Sequence, residues 1–145
     1  MNTAIAVLIL SFFGTLANAQ ENEKEQVPAN VMMSFHELHP GVKDVAWKYN
    51  ELNFEASFRL NGKAVSLLFD QDGCVNEAKN EIMLFELPMD VNTMLAKEYS
   101  GWRVGKASHI DASGTDYYET IVEKGKQTIV LVFNRHGGLL VKVIQ

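Results

Sequence analysis

Cysteine occurs once in this sequence, at Cys74, so no disulfide can form within the chain whatever its compartment. Catalytic arrangements that announce themselves by spacing are missing as well: there is no nucleophile elbow, no glycine-rich phosphate cradle and no Cys-His cluster. Lys and Arg form no stripe, and 13 of them stand against 18 Asp and Glu, which argues against nucleic acid as a partner. Residues 1–20 carry no charged side chain at all. Within them, 4–16 is apolar apart from Ser11 and Thr15, and Ala17-Asn18-Ala19 presents small residues where a signal peptidase requires them. Residues 1–19 are therefore expected to be a secretory signal cleaved before Gln20. No Lys or Arg precedes the apolar run, which leaves an uncleaved anchor as the alternative, although the run falls short of the ~20 residues that span a bilayer. No cysteine stands at the cleavage site to carry a lipid, so no membrane attachment is expected after cleavage. Residues 20–26, rich in Glu and Asn, read as a flexible leader.

What is present is a sequence written twice. Pro28, Val31, Phe35 and Gly41 recur sixty residues later as Pro88, Val91, Leu95 and Gly101. Phe54, Glu55, Val65, Leu67, Phe69 and Gly73 recur sixty-four residues later as Tyr118, Glu119, Ile129, Leu131, Phe133 and Gly137. Such a period describes an architecture. The boundaries it implies are repeats at 27–82 and 87–144 within one domain, 27–145, since a half of about 60 residues would bury only a marginal core by itself. The halves differ in charge: 20–82 holds eleven acidic and six basic residues, 83–145 seven of each, so the whole net charge of −5 lies in the first.

Each repeat opens on a short helix. Pro28 suits a first turn, Val31, Phe35 and Leu38 form one apolar stripe, and His39-Pro40-Gly41 ends it. Pro88, then Val91, Met94 and Leu95, then Tyr99-Ser100-Gly101 repeat the pattern. The period then becomes two: Leu52, Phe54, Ala56, Phe58 and Leu60 alternate with Glu51, Asn53, Glu55, Ser57 and Arg59. Asn61-Gly62 predicts a hairpin into a strand at 63–70, and Asp72-Gly73 a turn into 74–82; 42–49 supplies an opening strand. The expectation is an α+β fold in which a tandem repeat of a helix plus four antiparallel strands joins into one curved sheet of about eight strands, helices on one face.

The face away from the helices is polar in the first half and apolar in the second. If Tyr118, Val122, Ile129, Leu131 and Phe133 face the helices, then Tyr117, Ile121, Val130 and Val132 point the other way, where a one-sided antiparallel sheet should be polar. A contiguous apolar patch there marks an interaction surface, with a homodimer interface or ordinary packing as alternatives. Glu55 and Glu119, at equivalent positions on that face, are expected to be solvent-exposed rather than engaged in acid-base work.

Other motifs weaken when one repeat is set against the other. His36 and His39 are three apart, not the four of a metalloprotease helix, and Ala96 and Tyr99 replace them in the second repeat. Asp70-Gln71-Asp72-Gly73 resembles the start of a calcium loop, with Asn76 and Glu81 downstream, but Cys74 stands where an oxygen ligand belongs and the paired Asn134-Arg135-His136-Gly137 brings a cation there. It reads as a turn. Cys74 pairs with Gly138 and reads as a small-residue position beside that turn. No metal and no cofactor is expected.

The short helix ending in a His/Pro/Gly or Tyr/Ser/Gly step, the strand bearing Trp47, the hairpin and the turn 70–73 together resemble the PepSY-like family of secreted bacterial proteins, described as β-lactamase-inhibitor-like. The resemblance covers about 27–144. It implies a tandem module exported to the periplasm or beyond, with no accepted activity and, by analogy with inhibitors that grip an enzyme on an open sheet face, a binding role. The second repeat departs from the pattern at Ser100, at Ala107 in the place of Trp47, and by four inserted residues before Tyr117. The sequence thus reads as a non-enzymatic module that binds an envelope protein or peptide through Tyr117, Ile121, Val130 and Val132, with Glu55 and Arg59 tuning partner choice; the alternative is a structural, self-associating envelope protein that uses that face as a homodimer interface.

Overall fold

The computed structural model describes residues 27–49 and 52–145. The expected signal at 1–19, the leader at 20–26 and Glu51 lie outside the described residues. Helix α1 (Ala29–Leu38) starts directly after Pro28, whose ring presets a φ of −59° and whose carbonyl accepts the Met32 N–H at 3.0 Å. It stops at His39, where the following Pro40 disfavours helical backbone. Strands β1 (Val45–Tyr49), β2 (Asn53–Leu60), β3 (Lys63–Asp70) and β4 (Val75–Ile82) follow, and then a single 3₁₀ turn (Leu84–Glu86). Helix α2 (Met89–Glu98) leads into β5 (Arg103–Ala112), β6 (Thr115–Lys124), β7 (Gln127–Asn134) and β8 (Leu139–Ile144).

All eight strands form one open antiparallel sheet in sequence order. The pairing of β4 with β5, from Glu77↔Ala112 to Ile82↔Ala107, makes the sheet continuous although α2 intervenes in the chain. Directly paired residues share a face. Following the register across the sheet, Trp47, Ala56, Leu67, Ala78, Asp111, Asp116 and Phe133, Leu131 on β7 all lie on the side that receives both helices. Three register shifts, at Leu68/Phe69, Val104/Ala107 and Val132/Phe133, bend the strands.

Two apolar clusters fill the helix side. Val31 and Phe35 of α1 meet Trp47, Ala56, Phe58, Leu67 and Phe69 in the first. Val91 and Leu95 of α2 meet Val122, Ile129, Leu131 and Phe133 in the second. Leu38 does not join the stripe expected of it. It occupies the last residue of α1 and is 54 % exposed, while the ring of the next residue, His39, packs on Phe58 with centroids 4.7 Å apart. Ala107 is as deeply buried as Trp47, and Trp102, Tyr118 and Met94 pack at the border of its cluster.

Two turns tie the strands to the helices. Asp70 Oδ1 accepts the N–H groups of Asp72 and Cys74 at 2.9 Å each, and Asn134 Oδ1 accepts those of His136 and Gly138 at 2.9 Å each. The Asp70 carboxylate is thus engaged as the cap of its own turn. Gly73 (φ +84°) and Gly137 (φ +74°) back onto α1 and α2: a Cβ would stand 2.8 Å from Ser34 Oγ in the first case and 2.7 Å from the Asp90 carbonyl in the second. Only glycine satisfies both the left-handed backbone and that approach.

Candidate functional site

The other side of the sheet is covered by neither described helix, and its centre is nonetheless closely packed. Ile110 on β5, Tyr117 on β6 and Val132 on β7 form a third cluster there, bordered by Ala112 and Val141. Ile110 is 1 % and Val132 0 % exposed. Tyr117 and Val130 are buried, Ile121 is half-buried and Arg59 is exposed. The register places all of them on this face: Ile110↔Tyr117, Ile121↔Val130 and Val132↔Val141 pair directly. Of the expected binding residues, Tyr117 and Val132 therefore act as internal packing of the sheet, and Ile121 and Arg59 present surface.

Beside this apolar cluster lies a charged one. Glu55 and Glu119, expected in solvent, are each only 7 % exposed. Their burial follows from partners that the repeat does not advertise. Lys79 on β4 reaches across β5 and places Nζ 2.6 Å from Glu119 Oε1, with both side chains nearly out of water. Ser66 on β3 donates its hydroxyl to Glu55 Oε1 at 2.5 Å. Glu55 Oε2 is buried with no hydrogen-bond partner. Glu77, half-buried on β4, belongs to the same cross-strand row as Glu55, with Leu68 between them. Glu81 closes the edge of the group by accepting the Ala64 N–H at 2.9 Å. Ser66, Glu77, Lys79 and Ile110 were not legible as site residues. The available signal was the Glu-x-Lys step at 77–79 on the strand that joins the two halves of the sheet.

Burial pushes the Glu77 carboxyl above its ordinary value of 4.5; Lys79 pulls it down, and Glu55 and Glu119 push it up further. The sign of the consequence is fixed. A carboxyl raised in the folded state holds its proton there to higher pH than in the unfolded chain, so this stabilisation is complete at low pH and is lost as pH rises from 4.5 through the folded value. Denaturant titrations of the wild type and of Glu77→Gln should diverge over that window, the wild type losing stability relative to the variant as pH increases. A difference independent of pH would contradict the placement of Glu77.

Three carboxylates thus converge with one ammonium, itself engaged by Glu119. Among the described residues, no group of three or more His, Cys, Asp and Glu is arranged to hold a metal ion.

No family model matches this sequence, and no curated protein matches it. Solved structures do match. A protein described as periplasmic, from Bacteroides eggerthii, is 20% identical over 81% of this chain and 88% of its own, with a TM-score of 0.74. A DUF2874 family protein from Bacteroides uniformis is 21% identical over 81% and 88%, with a TM-score of 0.71. A BLIP-like protein from Bacteroides fragilis is 20% identical over 81% and 85%, with a TM-score of 0.63. At these identities the shared property is the fold, an open antiparallel sheet with two helices. No helix among the described residues is long and apolar enough to cross a membrane.

Proposed function

We propose that this chain is an exported, non-enzymatic binding module of the PepSY-like type that grips a protein or peptide of the cell envelope on the helix-free face of its sheet, in the manner of an inhibitor. The observation that carries the reading is the buried centre of that face, where Ile110, Tyr117 and Val132 pack together next to Glu55, Lys79 and Glu119. A preformed platform of this kind loses little conformational freedom on binding. The BLIP-like neighbour supports an inhibitory use, and the periplasmic one supports export beside the uncharged run at 1–20. The matching order of elements, a helix and four strands on each side of Leu84–Glu86, supports descent of the two halves from one duplicated unit.

The structure changes which substitutions test this. Glutamate at Tyr117 or Val130 would unfold the sheet rather than report on binding, because both are buried. Ile121→Glu and Arg59→Glu change half-buried and exposed positions on the same face. Together they should leave the melting temperature within a few degrees and remove capture of the envelope partner by more than about tenfold. Unchanged capture by the folded double variant would refute the reading.

A further inference from the structure

Glu55 and Glu77 stand out among the described carboxylates of the helix-free face: neither forms an ion pair, although Lys79 acts on Glu77 at longer range. Lys79 is committed to Glu119 at 2.6 Å, and Glu81 to the Ala64 amide at 2.9 Å. Glu55 spends one oxygen on the Ser66 hydroxyl, while the other is buried and unpartnered in a side chain 7 % exposed. Such an oxygen is expensive to leave unmade, more so when it carries charge. Glu77 has neither a hydrogen bond nor an ion pair among the described residues. The register Glu55↔Leu68↔Glu77 sets the two carboxylates on one face two strands apart, about 10 Å from strand to strand, with the half-buried Leu68 as the floor between them.

We propose that Glu55 and Glu77 form a receptor for one basic side chain, an arginine of the protein partner, which lays its alkyl stem over Leu68 and its guanidinium between the two carboxylates. The inference rests on the helix-free face being the binding surface, and it names the chemistry of the partner. Several features select this occupant. Two carboxylates two strands apart match a planar, forked cation that donates in two directions, which an ammonium does less well. A divalent metal would need more oxygen ligands than converge here, and among the described residues no such group exists. The half-buried Leu68 as an apolar floor favours a residue carried on a protein surface over a free small amine, because the alkyl stem buries area on it as the charge docks. Glu77, half-buried, is the outer lip that the cation meets first; Glu55 is the inner wall.

The test is a titration of the full mature protein, labelled at its glutamate carboxyl carbons, with N-acetylarginine amide, with its uncharged citrulline counterpart, and with calcium chloride. The arginine amide should shift the Glu55 and Glu77 signals saturably at millimolar concentrations, the citrulline compound should not, and calcium should not compete. Glu77→Gln, which leaves the buried partners untouched, should weaken the arginine response by at least about tenfold, and Glu55→Gln should do the same. No shift at either residue, an equal response to citrulline, or a response to calcium alone would overturn the proposal. The broader reading fails separately. If Ile121→Glu with Arg59→Glu abolishes partner capture while Glu77→Gln and Glu55→Gln leave it intact, the face binds but this receptor is wrong.

Discussion

Phe35→Ala should cost about 4 kcal/mol of folding free energy, more than any other single truncation in the first half of the sheet. Phe35 is fully buried in α1, and its ring lies edge-on to those of Trp47, Phe58 and Phe69 at centroid distances of 5.4, 5.3 and 6.5 Å. Removing it deletes a side chain that joins the helix to three strands at once. The hole is walled by aromatic rings that cannot collapse into it, which places the loss at the upper end of the usual range, and each lost ring pair adds its own contribution. Since a domain of this size is stable by about 5–15 kcal/mol, the variant should melt at a much lower temperature, while Met33→Ala on the exposed side of the same helix should change little. Equilibrium unfolding in urea measures both. Equal, small losses for the two variants would mean that α1 is not held by this cluster.

Lys79→Met should be the most damaging change on the other face, at about 3–5 kcal/mol near neutral pH, because it strands the buried Glu119 carboxylate without its ammonium. The attraction itself is not the main quantity at stake. Burying both charges is costly, and much of that cost is recovered only while they remain together. The double variant Lys79→Met with Glu119→Leu removes both charges and should therefore recover most of the stability of the wild type, a strongly non-additive cycle. Unfolding curves of the four proteins decide this, and additive losses would show that the two groups do not depend on each other.

Local signals accounted for the fold to within a few residues. The strand expected at 63–70 is β3 at the same bounds, because Asn61 and Gly62 before it and Gly73 after it adopt positive φ that few residues other than glycine and asparagine tolerate. The expected strands at 42–49 and 74–82 begin later, at Val45 and Val75, since the residues just before them belong to turns closed on His39 and Asp70. Period two assigned Tyr117, Ile121, Val130 and Val132 to the helix-free face correctly, since alternation fixes a side chain's face once one neighbour is placed. It could not say how deep they lie. Depth depends on which strands stand beside which, and the contact of β4 with β5 and β6 is long-range. That contact turns Lys79 toward Glu119 and draws Glu55 and Glu119 out of water, against the expectation drawn from their symmetry alone. The strand 74–82, polar on both sides in sequence, carries Glu77 and Lys79.

The central claim is that the helix-free face, not the helix-bearing one, meets the partner. A photo-reactive residue placed at Ile121 on that face, and in a parallel preparation at Met33 on the exposed side of α1, asks this directly in the native envelope. The account predicts one discrete cross-linked protein from position 121, lost when Arg59→Glu is added, and none from position 33. A cross-link formed from position 33 and absent from 121 would contradict it.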